Sequence, residues 1–305
     1  MKLFPENIKK IAIVALAGKP DKERIVSGSD FLKTSGYEVV SAKSLNGKNE
    51  LSYLSSDIET RVSDIENYWN DPRIDLIIAA RGGYGSVQIL SYIDWKALSK
   101  RQIPFIGYSD MTAFHLAMCA NKVGIPISGP MIHNFHSIRD DSFSLLSLKN
   151  AFMDKQVIEP ESGRKRFEAL NSGRAIGKIY PVTLSVLVTL IGTPYLPDLR
   201  GSILMLEDIN EPVYKLDRYF TQLEQSDILS NISGLILGSF TRCGNARERN
   251  KLFINISKRH KFPIVMNIPF GHAYPRISVK YESICSMDVT GNKIVLELDN
   301  GRERL

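Results

Sequence analysis

Cysteine is scarce in this chain of 305 residues: Cys119, Cys243 and Cys285 stand far apart, and none belongs to a Cys-x-x-Cys pair. An odd count with that spacing argues against a disulfide framework and against a thiolate zinc site. Long apolar runs are also missing. The segment Ile11 to Ala17 is too short to span a bilayer. Met1 to Asn7 carries no apolar core of a secretory leader, so the chain as given is expected in the cytoplasm with no membrane partner. Nor is charge of one sign concentrated. Lys and Arg number 39 against 33 Asp and Glu, for a net charge of +6. The basic clusters (Lys9-Lys10, Arg164-Lys165-Arg166, Arg247 to Lys251) are short and are not interleaved with aromatics. They read as solvated surface, and nucleic acid is not an expected partner. There is no internal repeat or low-complexity tract. The remaining composition, 43% hydrophobic and 24% charged, is that of a globular protein of two modest domains or one large one.

The first half alternates short apolar runs with amphipathic stretches. Lys10 to Ala17, Tyr37 to Ala42, Ile74 to Ala80 and Ile103 to Gly107 read as strands. Pro20 to Ser35 and Leu54 to Trp69 read as helices, the latter with Ile58, Val62, Ile65 and Trp69 on one face. This order predicts a parallel sheet covered on both faces, with sites at the carboxyl ends of its strands. Residues 1–150 are assigned to that α/β domain, the polar stretch 151–174 to a connector, and 175–305 to a second domain. In the second half, Gly201 to Leu206, Leu235 to Ser239 and Pro263 to Met266 read as strands, and Val213 to Glu224 and Leu252 to Arg259 as helices. Ile284 to Val289 and Lys293 to Leu298 read as a hairpin across Thr290-Gly291-Asn292.

Three places bear on chemistry. In Ile106-Gly107-Tyr108-Ser109-Asp110, an apolar strand runs straight into a helical segment. A serine at such a turn is presented outward next to the N–H groups that open the helix, which suits a nucleophile. Equally, Ser109 or Asp110 could simply cap the helix, and Met111 stands where the five-residue elbow pattern has glycine. Arg81-Gly82-Gly83-Tyr84-Gly85 follows a strand and fits either an anion-accepting backbone loop or a tight turn. It matches neither the dinucleotide fingerprint nor the P-loop. Glu207 ends a strand, and capping of the following helix is assigned to Asp208 or Asn210. Among five histidines, His272 follows Gly271 in a loop after a strand. His133 and His136 are three apart but lack the acidic neighbour of a zincin pattern, and no metal is expected. A serine needs a histidine to take its proton, and the histidine needs an acid to fix its tautomer. Ser109, Glu207 and His272 supply one of each.

As a set, these segments resemble the LD-carboxypeptidase family. They are joined by Ser128-Gly129-Pro130-Met131, by Gly192-Thr193-Pro194, by Gly201 to Glu211 and by Leu237-Gly238-Ser239-Phe240 with Phe270-Gly271-His272. The resemblance spans nearly the whole chain. It implies an α/β domain with a parallel sheet beside a smaller, β-rich α+β domain, with the site between them and a homodimer. It further implies Ser109 as nucleophile, His272 as general base, Glu207 as its partner, and an oxyanion hole from the backbone N–H groups of Gly83 and Asp110. Arg81, Gly82 and Tyr84 are expected beside the substrate; a carboxypeptidase has to hold a terminal carboxylate, and Arg81 or another cation near the glycine loop is a candidate, a structural ion pair being the other reading of Arg81. The implied reaction, with no metal or cofactor, removes a terminal D-alanine from a murein tetrapeptide in cell-wall recycling. A microcin-C-type immunity peptidase and a non-catalytic peptide-binding protein are the alternatives on the same scaffold.

Three segments depart from the family pattern. Pro181-Val182-Thr183-Leu184 stands for Gly-Gly-Asn-Leu, Ala15-Leu16-Ala17 for Ala-Pro-Ser, and Val279-Lys280-Tyr281-Glu282 for Leu-Pro-Leu-Gly. All three are expected to alter the pocket walls.

Overall fold

The short apolar runs become strands, and burial explains their composition. The computed structural model describes residues 2–160, 167–290 and 293–301. Along these run β1 (Lys10–Val14), β2 (Glu38–Ser41), β3 (Leu76–Ala79), β4 (Pro104–Gly107), β5 (Ile125–Ser128), β6 (Lys155–Ile158), β7 (Glu168–Asn171), β8 (Gly173–Thr183), β9 (Ile203–Ile209), β10 (Gly234–Thr241), β11 (Ile264–Met266), β12 (Val279–Lys280), β13 (Ile284–Thr290) and β14 (Lys293–Asp299). The first sheet has the order β12-β5-β4-β3-β1-β2, with β1 to β5 parallel. Every residue of β3, β4 and β5 is buried, as a parallel strand covered on both faces requires.

The second sheet has the order β6-β14-β13-β8-β9-β10-β11-β7. Its centre, β8 to β11, is parallel, and its flanks are antiparallel. On β9, Leu204 and Leu206 pack into the large core shared with the first domain, while Ile203 and Met205 face a smaller core under β13 and β14. The period of two thus feeds two cores from one strand. The expected pairing of a parallel-sheet α/β domain with a smaller β-rich domain is the fold observed.

The helix Lys22–Thr34 starts where the Asp21 carboxylate accepts the Arg24 N–H. The helix Ile58–Asn70 starts where Asp57 accepts the Thr60 N–H. These caps move both starts inward from the apolar pattern. The helix expected over Leu252 to Arg259 begins earlier than its apolar residues suggest, at Ala246, because Asn245 accepts the N–H groups of Arg247 and Glu248.

The stretch 151–174 is more than a connector. It contributes β6 and β7, which close the two edges of the second sheet. Both are four residues long and lack the clean apolar/polar alternation of a half-buried strand, so they read as loop in composition. The cluster Arg164-Lys165-Arg166 lies outside the described residues, as do Gly291 and Asn292 of the hairpin turn. The hairpin strands pair antiparallel from Ile284↔Asp299 to Thr290↔Lys293. The segment Val279-Lys280 crosses back to add β12 to the first sheet beside β5. This departure from the family pattern therefore builds a sheet edge rather than a pocket wall.

Candidate active site

Two neighbouring strands deliver the first half of the site. β3 and β4 are hydrogen-bonded in parallel, with Ile77 opposite Phe105 and Ile78 opposite Ile106. Their carboxyl-end loops therefore emerge side by side, one carrying Arg81-Gly82-Gly83 and the other Tyr108-Ser109-Asp110. Ser109 has φ +62°, a conformation that a residue with a side chain rarely adopts. The helix Met111–Asn121 begins at once, with the Thr112 N–H bonded to the Ser109 carbonyl at 2.9 Å. Two glycines make the turn possible. A Cβ on Gly107 would stand 2.7 Å from Met111 Cγ, and one on Gly82 would stand 3.0 Å from Ser109 Cβ. The small residue that an elbow needs comes from the adjacent loop instead of position 111.

The helix-cap reading of this turn does not hold. Ser109 makes no cap, and Asp110 makes no side-chain bond to the helix it precedes. Its carboxylate points back, accepting the Ser86 N–H at 2.8 Å, while its carbonyl accepts the Ser86 hydroxyl at 2.6 Å. Burial pushes the Asp110 carboxyl above the usual carboxylate range. Arg61, fully buried, donates from Nη1 to the Gly85 and Leu16 carbonyls at 3.0 and 3.1 Å. The glycine loop is thus fastened from both ends, and Leu16, one of the departures from the family pattern, anchors it through its backbone.

The second half comes from the other sheet. Thr183 on β8 lies opposite Glu207 on β9 in the parallel register. Its hydroxyl donates a short hydrogen bond to Glu207 Oε1. The other carboxylate oxygen, Oε2, accepts the His272 backbone N–H at 3.2 Å and His272 Nδ1–H at 2.7 Å. Glu207 has no solvent exposure, so these donors replace water around a buried charge. With Nδ1 carrying the proton, Nε2 is left as an acceptor, and Ser109 Oγ–H donates to it at 3.0 Å. Gly271 has φ +107°, and a Cβ there would meet Glu207 Oε2 at 2.4 Å. Ser239 holds the loop on both sides of His272: its hydroxyl donates to the Phe270 carbonyl at 2.8 Å and accepts the Ala273 N–H at 3.3 Å.

Comparison with known proteins then places the chain. Family models described as the LD-carboxypeptidase N-terminal and C-terminal domains match residues 11–128 and 176–287. The chain belongs to the LD-carboxypeptidase family. It is 30% identical to the Streptomyces coelicolor protein named "Putative carboxypeptidase SCO6489", over 94% of this chain and 93% of that one. It is 27% identical to the Bacillus subtilis protein named "Probable murein peptide carboxypeptidase", over 94% and 91%. The crystal structure of muramoyltetrapeptide carboxypeptidase from Oxalobacter formigenes superposes with a TM-score of 0.83 at 26% identity, covering 95% of this chain and 98% of that one.

Around the serine of this LD-carboxypeptidase family member, the other expected residues take definite positions. A Cβ on Gly82 would lie 3.4 Å from the Asp110 N, so the two loops touch beside Ser109. Among the described residues no acceptor takes the N–H of Gly83 or of Asp110. Gly83 has φ +106°, and its Cβ position lies 3.7 Å from Arg81 Nη2. Arg81 Nη1 donates to the Lys19 carbonyl at 2.9 Å. Arg81, Gly83 and Tyr84 line an open groove with Lys19, Asp21 and Tyr53. Tyr84 and Tyr53 are half exposed, with ring centroids 6.1 Å apart. A larger cavity of about 830 Å³ opens beyond the His272 loop, touching Ala273 and Tyr274 but none of Ser109, Glu207 and His272.

Several assignments shift. Asp208 does cap a helix, but it caps Leu184–Thr189 across the sheet, accepting Ser185 N–H at 2.7 Å and its hydroxyl at 3.1 Å. Burial, with the Glu207 charge beside it, pushes its carboxyl up to about 6. The helix Val213–Gln225 opens instead on Pro212 with no side-chain cap, and Asn210 sits at φ +60° with its N–H on the Thr241 carbonyl. His136 bonds the Ser27 hydroxyl at 3.0 Å, whereas His133 keeps a buried Nδ1 without a partner. Among the described residues no three His, Cys, Asp or Glu side chains gather as metal ligands, and no helix is long and apolar enough to cross a membrane. The residue missed outright is Thr183. Its signal was present: a hydroxyl at the strand position where the family pattern carries an amide side chain.

Proposed function

We propose that this protein is a serine LD-carboxypeptidase that removes a terminal D-alanine from murein tetrapeptides. The observation that carries the reading is the unbroken hydrogen-bonded line from Glu207 through His272 to Ser109, on the two family domains. Ser109 Oγ attacks the carbonyl carbon of the last peptide bond while His272 Nε2 takes its proton. Glu207 stabilises the imidazolium that forms and holds its tautomer. The oxyanion is received by the N–H groups of Gly83 and Asp110, each worth roughly 3–4 kcal/mol where such donors have been removed from serine enzymes. His272 then protonates the leaving amine, D-alanine departs, and a water molecule repeats the attack to free the tripeptide. The positive φ at Ser109 supports this role, since such strain persists where the surrounding structure enforces it. The murein substrate is carried over from the name of the Bacillus subtilis relative. The reading includes a cytoplasmic location and a homodimer; light scattering on the purified chain tests the second, and cell fractionation the first.

The test is incubation of the purified protein with L-Ala-γ-D-Glu-meso-diaminopimelyl-D-Ala, beside an all-L tetrapeptide. Release of D-alanine from the first and nothing from the second is expected. No release from either at high enzyme concentration overturns the reading in favour of an immunity-type peptidase or a binding protein.

A further inference from the structure

Arg276 lies four residues beyond His272 and is only 3% exposed. Its Nε and Nη2 are buried without a hydrogen-bond partner, and Nη1 reaches only the Gly271 carbonyl at 3.5 Å. No carboxylate among the described residues pairs with it. Buried guanidinium groups are otherwise matched by an anion, because desolvating a fixed charge is costly. What surrounds Arg276 is aromatic: its Cζ stands 3.9 Å from the ring centroid of Tyr108 and 5.0 Å from that of Tyr274. Stacking of this kind holds a guanidinium in place but leaves its in-plane donors unused.

The position is specific. Tyr108 immediately precedes Ser109, and its ring packs 5.0 Å from the His272 ring. Gly271, which Arg276 touches, is wedged against Glu207. The guanidinium therefore abuts both loops that carry the hydroxyl and the imidazole. Other charges act nearby. Burial, followed by the charges of Arg24, Arg81 and Arg276 against that of Asp21, holds the pKa of His133 down at about 4, so its imidazole, with an unpartnered Nδ1, is neutral near pH 7 and three arginines outnumber one carboxylate. The local field thus attracts an anion, and a planar fork with free N–H groups suits a carboxylate.

We propose that Arg276 is the anchor for the free carboxylate of the substrate's terminal residue. This rests on the carboxypeptidase reading and deepens it. In a peptide whose last amide is cut, that carboxylate lies one residue beyond the scissile carbonyl, so its receptor has to abut the nucleophile loop. Arg81, the other candidate, already spends Nη1 on the Lys19 carbonyl and lies in the open groove beside Gly83. Tyr274, half exposed and over the guanidinium, is the cover that an incoming carboxylate displaces.

The test compares the tetrapeptide acid with the same peptide ending in D-alaninamide, for the wild type, Arg276→Gln and Arg276→Lys. The wild type is expected to favour the acid by about 100-fold in kcat/KM, the scale of losing one buried charge-assisted pair. In Arg276→Gln the acid loses about 100-fold, mainly through KM, while amide hydrolysis stays within about threefold of wild type. Arg276→Lys, which keeps the charge but loses the fork, falls between the two. A wild type with no preference for the acid, or an Arg276→Gln enzyme that loses both substrates equally or neither, overturns the proposal and leaves the carboxypeptidase reading intact. Should Arg276→Gln fail to fold, unchanged acid preference in Arg276→Lys overturns it. A wild type that cuts neither peptide overturns the carboxypeptidase reading itself.

Discussion

Replacing Thr183 by valine deletes one hydrogen bond and almost nothing else. The side chains have nearly the same shape, and the Thr183 backbone N–H keeps its bond to Thr112 Oγ1 at 3.1 Å. What disappears is the hydroxyl that donates to Glu207 Oε1. Oε1 would then lie in a fully buried site with no donor among those described, because both His272 bonds go to Oε2. A hydrogen bond to a charged group contributes about 1.5–3 kcal/mol. If all of it serves to hold the carboxylate in line with His272 Nδ1, kcat falls by about 10- to 150-fold, at 1.36 kcal/mol per factor of ten. KM should change little, because Thr183 acts behind the imidazole and away from the peptide. The assay is continuous detection of released D-alanine across substrate concentrations, with a thermal melt of the same sample. Thr183→Ser, which restores the hydroxyl, should recover most of kcat. A valine variant with wild-type kcat would refute the positioning role. A serine variant as impaired as valine would reassign the effect to packing of the methyl group.

Two further outcomes follow from the geometry. Ser109→Ala should reduce turnover by about six orders of magnitude, the scale seen on removing such a nucleophile, with the thermal midpoint nearly unchanged; near-normal rates would remove Ser109 from the mechanism. His115 is buried between Phe105 and Tyr281, and burial lowers its pKa from 6.5 to about 3. Because the unfolded chain takes up that proton first, the stabilisation is complete above pH 6.5 and is lost as pH falls toward 3. Between pH 7 and 4.5 the wild type should lose about 3 kcal/mol relative to His115→Phe in denaturant titrations. The opposite contribution of Asp208, whose raised pKa favours the folded state on acidification, is common to both proteins and cancels. A difference independent of pH would show that His115 does not titrate as a buried neutral ring.

Much of the architecture was legible because burial writes itself into local composition. The strands β3 and β4 are continuous apolar runs, and a strand buried on both faces has no other option. The helices announced themselves by apolar spacing, and only their caps moved the ends. The edge strands β6 and β7 were not legible, since each is four residues long and breaks the polar-out alternation of a strand: in β6 Gln156 is buried and Val157 exposed, and in β7 Glu168 and Ala169 are both exposed. The hydroxyl, imidazole and carboxylate could be picked out as chemical types at strand ends, but the turn at Ser109 was ambiguous on its own. Nothing local distinguishes a capping Asp110 from one that reaches back to Ser86.

By itself, then, the chain determined its alternating order, its two sheets and the three residue types suited to acyl transfer. Tertiary structure alone decided which groups meet. The β3–β4 register sets Gly82 against Ser109, and the β8–β9 register sets Thr183 against Glu207. Arg276 is left among aromatic rings without a counter-ion. Propensity and hydrophobic pattern act over a few neighbours, whereas a pKa, a short hydrogen bond or an unpaired charge depends on what distant segments bring into a common dielectric.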